Sequence, residues 1–187
     1  MAGQALIPQP LLPILGEGEQ IITMKNIDTT DLEAARGVAF RFIGYAARSR
    51  NEIVRRLERD EFTPEVIAAV LTECETNGWV DDEKFAKDWI ADRADRKQYG
   101  KTRLKMELQR KGIDKDTLTE AFETVDDDDE RKRALAAAQT KWRPDRVQGL
   151  SRAEKQAEKQ KLANFLMRRG FVWSTIKQVL AELMPNE

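Results

Sequence analysis

The hydrophobic pattern of the chain centres on a short segment, Arg103–Ile113, that predicts an amphipathic helix followed by a stop. Leu104 and Leu108 are four residues apart, so they share one face of a helix. Gly112 follows the last turn, where a left-handed backbone is common and glycine adopts it at little cost. Ile113 then supplies the apolar residue that often folds back onto such a helix end.

The same pattern occurs three times, and its register continues into the helix that follows each turn. The first apolar positions of the three copies are Ile53, Leu104 and Leu162, and the closing positions are Phe62, Ile113 and Phe171. A spacing of about 50 to 60 residues is typical of tandem helical repeats. We therefore predict an all-α protein of three tandem three-helix, helix-turn-helix-like repeats. The predicted ranges are 1–30 for an irregular tail or a lone strand, 31–78 for repeat 1, 79–125 for repeat 2 and 126–187 for repeat 3.

Capping residues mark where the helices begin. Ser49 with Glu52, and Ser151 with Glu154, have the spacing of a capping box. Asp28 or Thr30 is expected to cap the first helix, and Glu61 stands where the other copies have glycine, which predicts a strained or altered turn. The first helix of repeat 3 is expected to run to about Trp142, with a loop over 144–150 after it.

Several kinds of chemistry are excluded by composition. The chain has no histidine and one cysteine, Cys74, so it has no internal disulfide, no Cys/His zinc site and no histidine-dependent nucleophile. Five consecutive acids, Asp126–Glu130, lack the ligand spacing and glycine of a calcium loop, and we interpret them as a helix start instead. We expect no enzymatic activity, no cofactor and no metal.

Charge is segregated along the chain although the net charge is −1. Residues 58–92 carry eleven acids and three bases, whereas residues 131–180 carry thirteen bases and three acids. Such blocks favour a partner that is charged in patches, or a polyanion, over simple solvation of helix faces. No apolar run approaches the ~20 residues that span a bilayer. The first cation is Lys25, so we expect neither a signal nor a transit peptide, and we expect a cytoplasmic protein.

The third helix of each repeat is a poor candidate for reading a DNA groove, since such helices need basic or amide side chains. Their predicted outward residues are mostly acidic and are Glu65, Thr72 and Glu73 in repeat 1, Asp116, Glu120 and Glu123 in repeat 2, and Lys177 and Gln178 in repeat 3.

The second helices instead carry bases away from their apolar stripe. Aligned repeats would place these in one interrupted cationic stripe, which we predict as the contact surface for a partner. The candidate residues are Arg55, Arg59, Lys101, Arg103, Lys105, Arg110, Lys161 and Arg168.

Six segments carry a resemblance to a known family, and they are Arg48–Ile53, Gly78–Ala86, Tyr99–Lys101, Glu107–Leu108, Lys111–Ile113 and Arg169–Phe171. In these segments, and over about residues 35–183, the chain resembles the RecX family of bacterial RecA regulators. Glu61, where the family usually has glycine, and the N-terminal segment depart from the family pattern.

The resemblance implies an elongated, curved, monomeric array that binds in the groove of the RecA–single-stranded DNA filament. It implies inhibition of filament extension, ATP hydrolysis, strand exchange and the SOS coprotease activity. The alternative from the residues is a helical-repeat protein that binds single- or double-stranded DNA directly. Neither hypothesis involves a membrane.

Overall fold

A computed structural model describes residues 28–184, which form ten helices and no strand. The chain divides into two compact units, one ending at Asp81 and the other beginning at Asp82. The predicted tail, with its lone strand, lies outside the described residues except for 28–30. Within the described range, every helix is too short or too polar to cross a bilayer.

The first unit contains three helices around one hydrophobic core. They are α1 (Leu32–Tyr45), α2 (Arg50–Arg59) and α3 (Pro64–Thr76). Ser49 and Glu52 form the predicted capping box at the start of α2. The inner faces of α2 and α3 meet α1 in a core that includes Ile53, Leu57 and Val70, each fully buried.

The second unit contains two further repeats, each with its own core. Repeat 2 consists of α4 (Asp82–Lys97), α5 (Lys101–Arg110) and α6 (Lys115–Glu123), and repeat 3 consists of α7 (Asp127–Gln139), α8 (Pro144–Val147), α9 (Arg152–Arg168) and α10 (Trp173–Leu183). Leu104 and Leu108 lie in the core of repeat 2, and Leu162 and Leu166 lie in that of repeat 3. The prediction of an all-α tandem array is confirmed, while the residue limits of the repeats stay a prediction.

All three second helices end in the same way. The closing residues Phe62, Ile113 and Phe171 each donate a backbone N–H to the carbonyl five positions earlier, at 3.2, 3.1 and 3.2 Å, and each is 4% exposed. The residue before each closing position has a left-handed backbone, with φ of 62° at Glu61, 82° at Gly112 and 85° at Gly170. The turn after α2 therefore keeps the geometry of the other copies, and its non-glycine residue is strained.

Three local predictions are wrong. Asp31, rather than Asp28 or Thr30, caps α1, because its carboxylate accepts from the N–H groups of the first turn. Helix α7 ends at Gln139 instead of continuing to Trp142. The expected loop over 144–150 contains the short helix α8, which Pro144 begins because its fixed φ suits the first helical position.

Candidate functional site

Most of the predicted contact residues are exposed on the second helices. They are Arg55 and Arg59 on α2, Lys105 and Arg110 on α5, and Lys161 and Arg168 on α9. Their exposure agrees with the outward positions that the helical spacing predicts. Their role in binding, and their alignment in one stripe, stay predictions.

Arg103 is only partly exposed on α5, and its role in binding a partner stays a prediction. Its guanidinium lies 3.9 Å from the centre of the Tyr99 ring. The same group donates to Glu107 at 3.2 Å and to the carbonyl of Arg168 at 3.2 Å. Lys101 is also half-buried, with its ammonium 2.5 Å from the Asp127 carboxylate. Both cations therefore make contacts within the second unit, although part of each side chain stays exposed.

The start of α5 is capped by repeat 3 rather than by a local side chain. Gly100 is the N-cap and has no side chain to accept the free N–H groups of the first turn. The Gly100 N–H donates to the carbonyl of Arg169 at 2.8 Å, and the Thr102 N–H donates to the carbonyl of Gly170 at 3.1 Å. The Lys101 N–H donates to the Glu130 carboxylate at 2.8 Å. Repeats 2 and 3 are thus joined through backbone groups.

Two glycines permit this close approach. A Cβ at Gly100 would lie 2.3 Å from the carbonyl oxygen of Gly170, and a Cβ at Gly170 would lie 2.3 Å from the Cβ of Arg103. Arg169 adds a bond across the contact, because its guanidinium donates to the carbonyl of Lys97 at 2.5 Å. The segments Tyr99–Lys101 and Arg169–Phe171, noted separately in the sequence, therefore meet in space.

Glu130 is the buried residue of this contact that the sequence interpretation missed. It is 2% exposed, and it comes four positions before Ala134 on the inner face of α7. That helical spacing is a signal that distinguishes it from the four acids before it. A carboxylate at the start of α5 also faces the positive end of that helix dipole, which stabilises it there.

As predicted, the acidic residues 126–130 lie at the start of a helix, where they form the N-cap and first turn of α7. Asp126 caps α7 by accepting from the N–H of Asp128. Bonds from Lys132 and then Arg131 lower the pKa of the Asp128 carboxyl below its ordinary value. Among the described residues, no cluster of cysteine and acidic side chains is arranged to hold a metal ion.

The exposed faces of the third helices α3 and α6 carry acidic residues, as predicted, with one correction. Glu65 on α3 and Glu120 on α6 are exposed as predicted. Glu73 is instead half-buried and lies 2.6 Å from Arg36 of α1. Because phosphate repels exposed carboxylates, α3 and α6 remain unsuited to reading a DNA groove.

Cys74 and the aromatic pair Phe85 and Trp89 pack within the hydrophobic cores. Cys74 is fully buried, and burial together with the charges of Glu73 and Glu75 raises the pKa of its thiol to about 11. Phe85 and Trp89 stack with centroids 5.7 Å apart, and the indole N–H of Trp89 donates to Glu107 at 3.2 Å. All three side chains therefore contribute to the hydrophobic cores of their repeats.

Comparison with known protein families matches every repeat to a RecX domain. The family model for the first three-helix domain of RecX matches residues 35–74, that for the second matches 81–121, and that for the third matches 127–180. The three matches occur in the same order as the three observed cores.

Individual proteins agree with the family match. The regulatory protein RecX of Mycolicibacterium smegmatis is 31% identical, over 83% of this chain and 82% of its own length. That of Prosthecochloris aestuarii is 32% identical, over 84% of this chain and 98% of its own length. The crystal structure of RecX from Lactobacillus salivarius superposes with a TM-score of 0.71 at 19% identity, over 81% of this chain and 96% of that one, and so supports the fold. With three domain matches in order and relatives above 30% identity along most of its length, the chain belongs to the RecX family of regulatory proteins.

Proposed function

We propose that the protein binds the RecA–single-stranded DNA filament and inhibits its extension, ATP hydrolysis, strand exchange and SOS coprotease activity. The observation that carries the proposal is the presence of all three RecX domains, in order, over residues 35–180. The proposal implies a monomeric, cytoplasmic binding protein without enzymatic activity.

The contact surface that we propose consists of the exposed bases of the second helices. In the second unit these are Lys105, Arg110, Lys161 and Arg168. Lys101 and Arg103 are assigned a supporting role, because each is held by contacts within the unit. In the first unit Arg55 and Arg59 complete the set. Exposed bases suit either acidic protein surface or phosphate, and they steer association with a negatively charged partner.

A second candidate function is direct binding of nucleic acid by the helical repeats. The exposed bases of α9, which lie in a strongly basic stretch of the sequence, favour it. The two functions predict different affinities. Direct binding of nucleic acid predicts that the chain binds bare single-stranded DNA more tightly than filament, with an affinity that falls as salt rises.

The test of the first function is a titration of the protein into preformed RecA filament while ATP hydrolysis is followed. The informative variant is Lys105→Glu with Arg110→Glu, because both side chains are exposed on α5. The matched control is Lys115→Glu with Lys177→Glu, which makes the same charge change on third helices. We expect the first double variant to need about tenfold more protein for half inhibition, and the control to behave as the parent.

Circular dichroism checks that both variants keep their helices. Equal potency of the two double variants would show that the second helices are not the contact surface. A parent protein that leaves ATP hydrolysis unchanged, but binds bare DNA more tightly than filament, would favour the second function instead.

A further inference from the structure

Repeat 3 differs from repeat 2 by extra chain between its first and second helices. Only residues 98–100 separate α4 from α5, whereas residues 140–151, including α8, separate α7 from α9. Helix α9 is also longer, with 17 residues against 10 in α5. The extra chain and the long helix border a groove of about 260 Å³. We call it the α8 groove, and its main lining residues are Lys141, Trp142, Arg143, Lys161, Phe165 and Arg168.

The α8 groove has an excess of positive charge. Its one acidic lining residue, Glu158, lies 2.6 Å from the ammonium of Lys161. Among the described residues, no carboxylate lies within ion-pair distance of Lys141, Arg143 or Arg168. The Lys141 ammonium lies 5.8 Å from the centre of the Phe165 ring, and the Arg143 guanidinium donates to the carbonyl of Trp142 at 3.4 Å. Three bases facing one concavity favour an anionic ligand.

Two aromatic rings lie among these bases. Trp142 and Phe165 are half-buried and pack against the core of repeat 3 while they also border the groove. Rings next to bases suit a ligand that combines phosphate groups with flat apolar faces, as a nucleotide does. The Phe165 ring already has Arg169 at 4.8 Å and Lys141 at 5.8 Å, so Trp142 is the ring that a base would meet. An acidic peptide would satisfy the bases but would leave the Trp142 ring without a stacking partner.

The size of the groove argues for a single strand. A volume of about 260 Å³ lies just below the ~300 to 1,000 Å³ of sites that enclose drug-sized molecules, so it admits one base rather than a duplex. In a duplex the bases are already stacked and cannot lie against a protein ring, whereas those of a single strand can.

We propose that the α8 groove binds a segment of single-stranded nucleic acid, with a base against Trp142 and phosphates on Lys141, Arg143 and Arg168. This site would be particular to repeat 3, because the other two repeats lack the extra chain that forms it. The inference rests on the second candidate function, direct binding of nucleic acid, and does not depend on inhibition of the filament, since the groove can be tested on bare oligonucleotide.

The first test uses the full, unaltered chain. Fluorescence anisotropy would measure its affinity for a labelled oligothymidylate and for an abasic oligomer with the same number of phosphates. Stacking on the groove rings predicts that the oligothymidylate binds about 5- to 150-fold more tightly. Equal affinity for the two oligomers would exclude a base-binding groove.

The second test compares two double variants in the same assay at several salt concentrations. Lys141→Ala with Arg143→Ala removes two bases of the α8 groove, and Arg152→Ala with Lys177→Ala removes two exposed bases elsewhere in the same unit. Loss of two phosphate contacts predicts a salt slope lower by about 1.4 for the groove variant and an unchanged slope for the control.

Three further results would overturn the proposal. An equal loss of oligonucleotide affinity in both double variants would mean that the net charge of the unit attracts the oligomer without a defined site. Displacement of the oligothymidylate by polyglutamate at equal charge would identify an acidic peptide as the ligand. Tighter binding of a duplex than of the single strand would show that the rings do not receive a base. Because no RecA is present, failure here is distinct from failure of the filament proposal.

Discussion

Replacing Gly100 with alanine would test the contact between repeats 2 and 3. The backbone of Gly100 has φ of −82°, which any residue adopts, so the new methyl group would cause no conformational strain of its own. Its Cβ would lie 2.3 Å from the carbonyl oxygen and 2.4 Å from the carbonyl carbon of Gly170, and 2.5 Å from the nitrogen of Phe171. These are backbone atoms and cannot rotate away, so the two segments would have to separate by about 1 Å.

Separation on this scale would break hydrogen bonds that are now well formed. The bonds from Gly100 to Arg169 and from Thr102 to Gly170 measure 2.8 and 3.1 Å. Each group left without a partner in the contact costs about 1 to 3 kcal/mol, so the two bonds together give a loss of about 3 kcal/mol. For a unit of about 100 residues, that loss lowers the melting temperature of the second unit by about 12 °C.

The assay is thermal and urea unfolding followed by far-ultraviolet circular dichroism. Gly149→Ala is the matched control in the same unit, because Gly149 has φ of 91° and no atom lies within 4 Å of the position that the new methyl group would take. Its expected cost is about 1 kcal/mol, from backbone strain alone. If Gly100→Ala lost no more stability than Gly149→Ala, the close backbone contact would be refuted.

Three further outcomes follow from local features of the fold. Glu61→Gly should stabilise the first unit by about 0.5 to 1 kcal/mol in urea unfolding, since φ of 62° strains a non-glycine residue, and a lower midpoint would contradict this. The Cys74 thiol, with its pKa raised to about 11, should react with a disulfide reagent at least about 100-fold more slowly in the native than in the urea-unfolded protein, and comparable rates would contradict its burial. Bonds from Thr117 lower the pKa of Asp114, so the charged form stabilises the fold above the unfolded-state pKa, and this contribution is lost as the pH falls through the lower native value. The difference in urea midpoint between the parent and Asp114→Asn should therefore narrow below about pH 4, and a constant difference would exclude the charge effect.

The repeat architecture could be predicted because its determinants are local. The apolar positions of each second helix are four residues apart, and the left-handed residue and closing residue follow within one turn. Even the departure at Glu61 was visible, because the position could be compared with Gly112 and Gly170 in the other copies. Caps such as Ser49 and Ser151 act over three residues, so neighbouring letters of the sequence suffice to identify them.

The contact between repeats 2 and 3 was decided by the tertiary structure alone. Helical spacing placed Arg103 opposite the apolar stripe, but in the structure its guanidinium is partly covered by Tyr99 and bonded to the carbonyl of Arg168 at the end of α9. Glu130 was indistinguishable from its acidic neighbours by composition, although one face of α7 selects it for burial. The helical spacing of apolar residues does not show which distant segment packs against a given face of the helix.

The sequence by itself determined the three helical repeats, their stops, most of their caps and the positions of the bases on the second helices. The tertiary structure decided which of those bases stay exposed, how the uncapped start of α5 is satisfied, and where the extra chain of repeat 3 forms a groove. The physical reason is the separation along the chain between the residues that interact. Caps and stops act over three to five residues, whereas the bonds from Lys101 to Glu130 and from Arg169 to Lys97 join residues 29 and 72 positions apart.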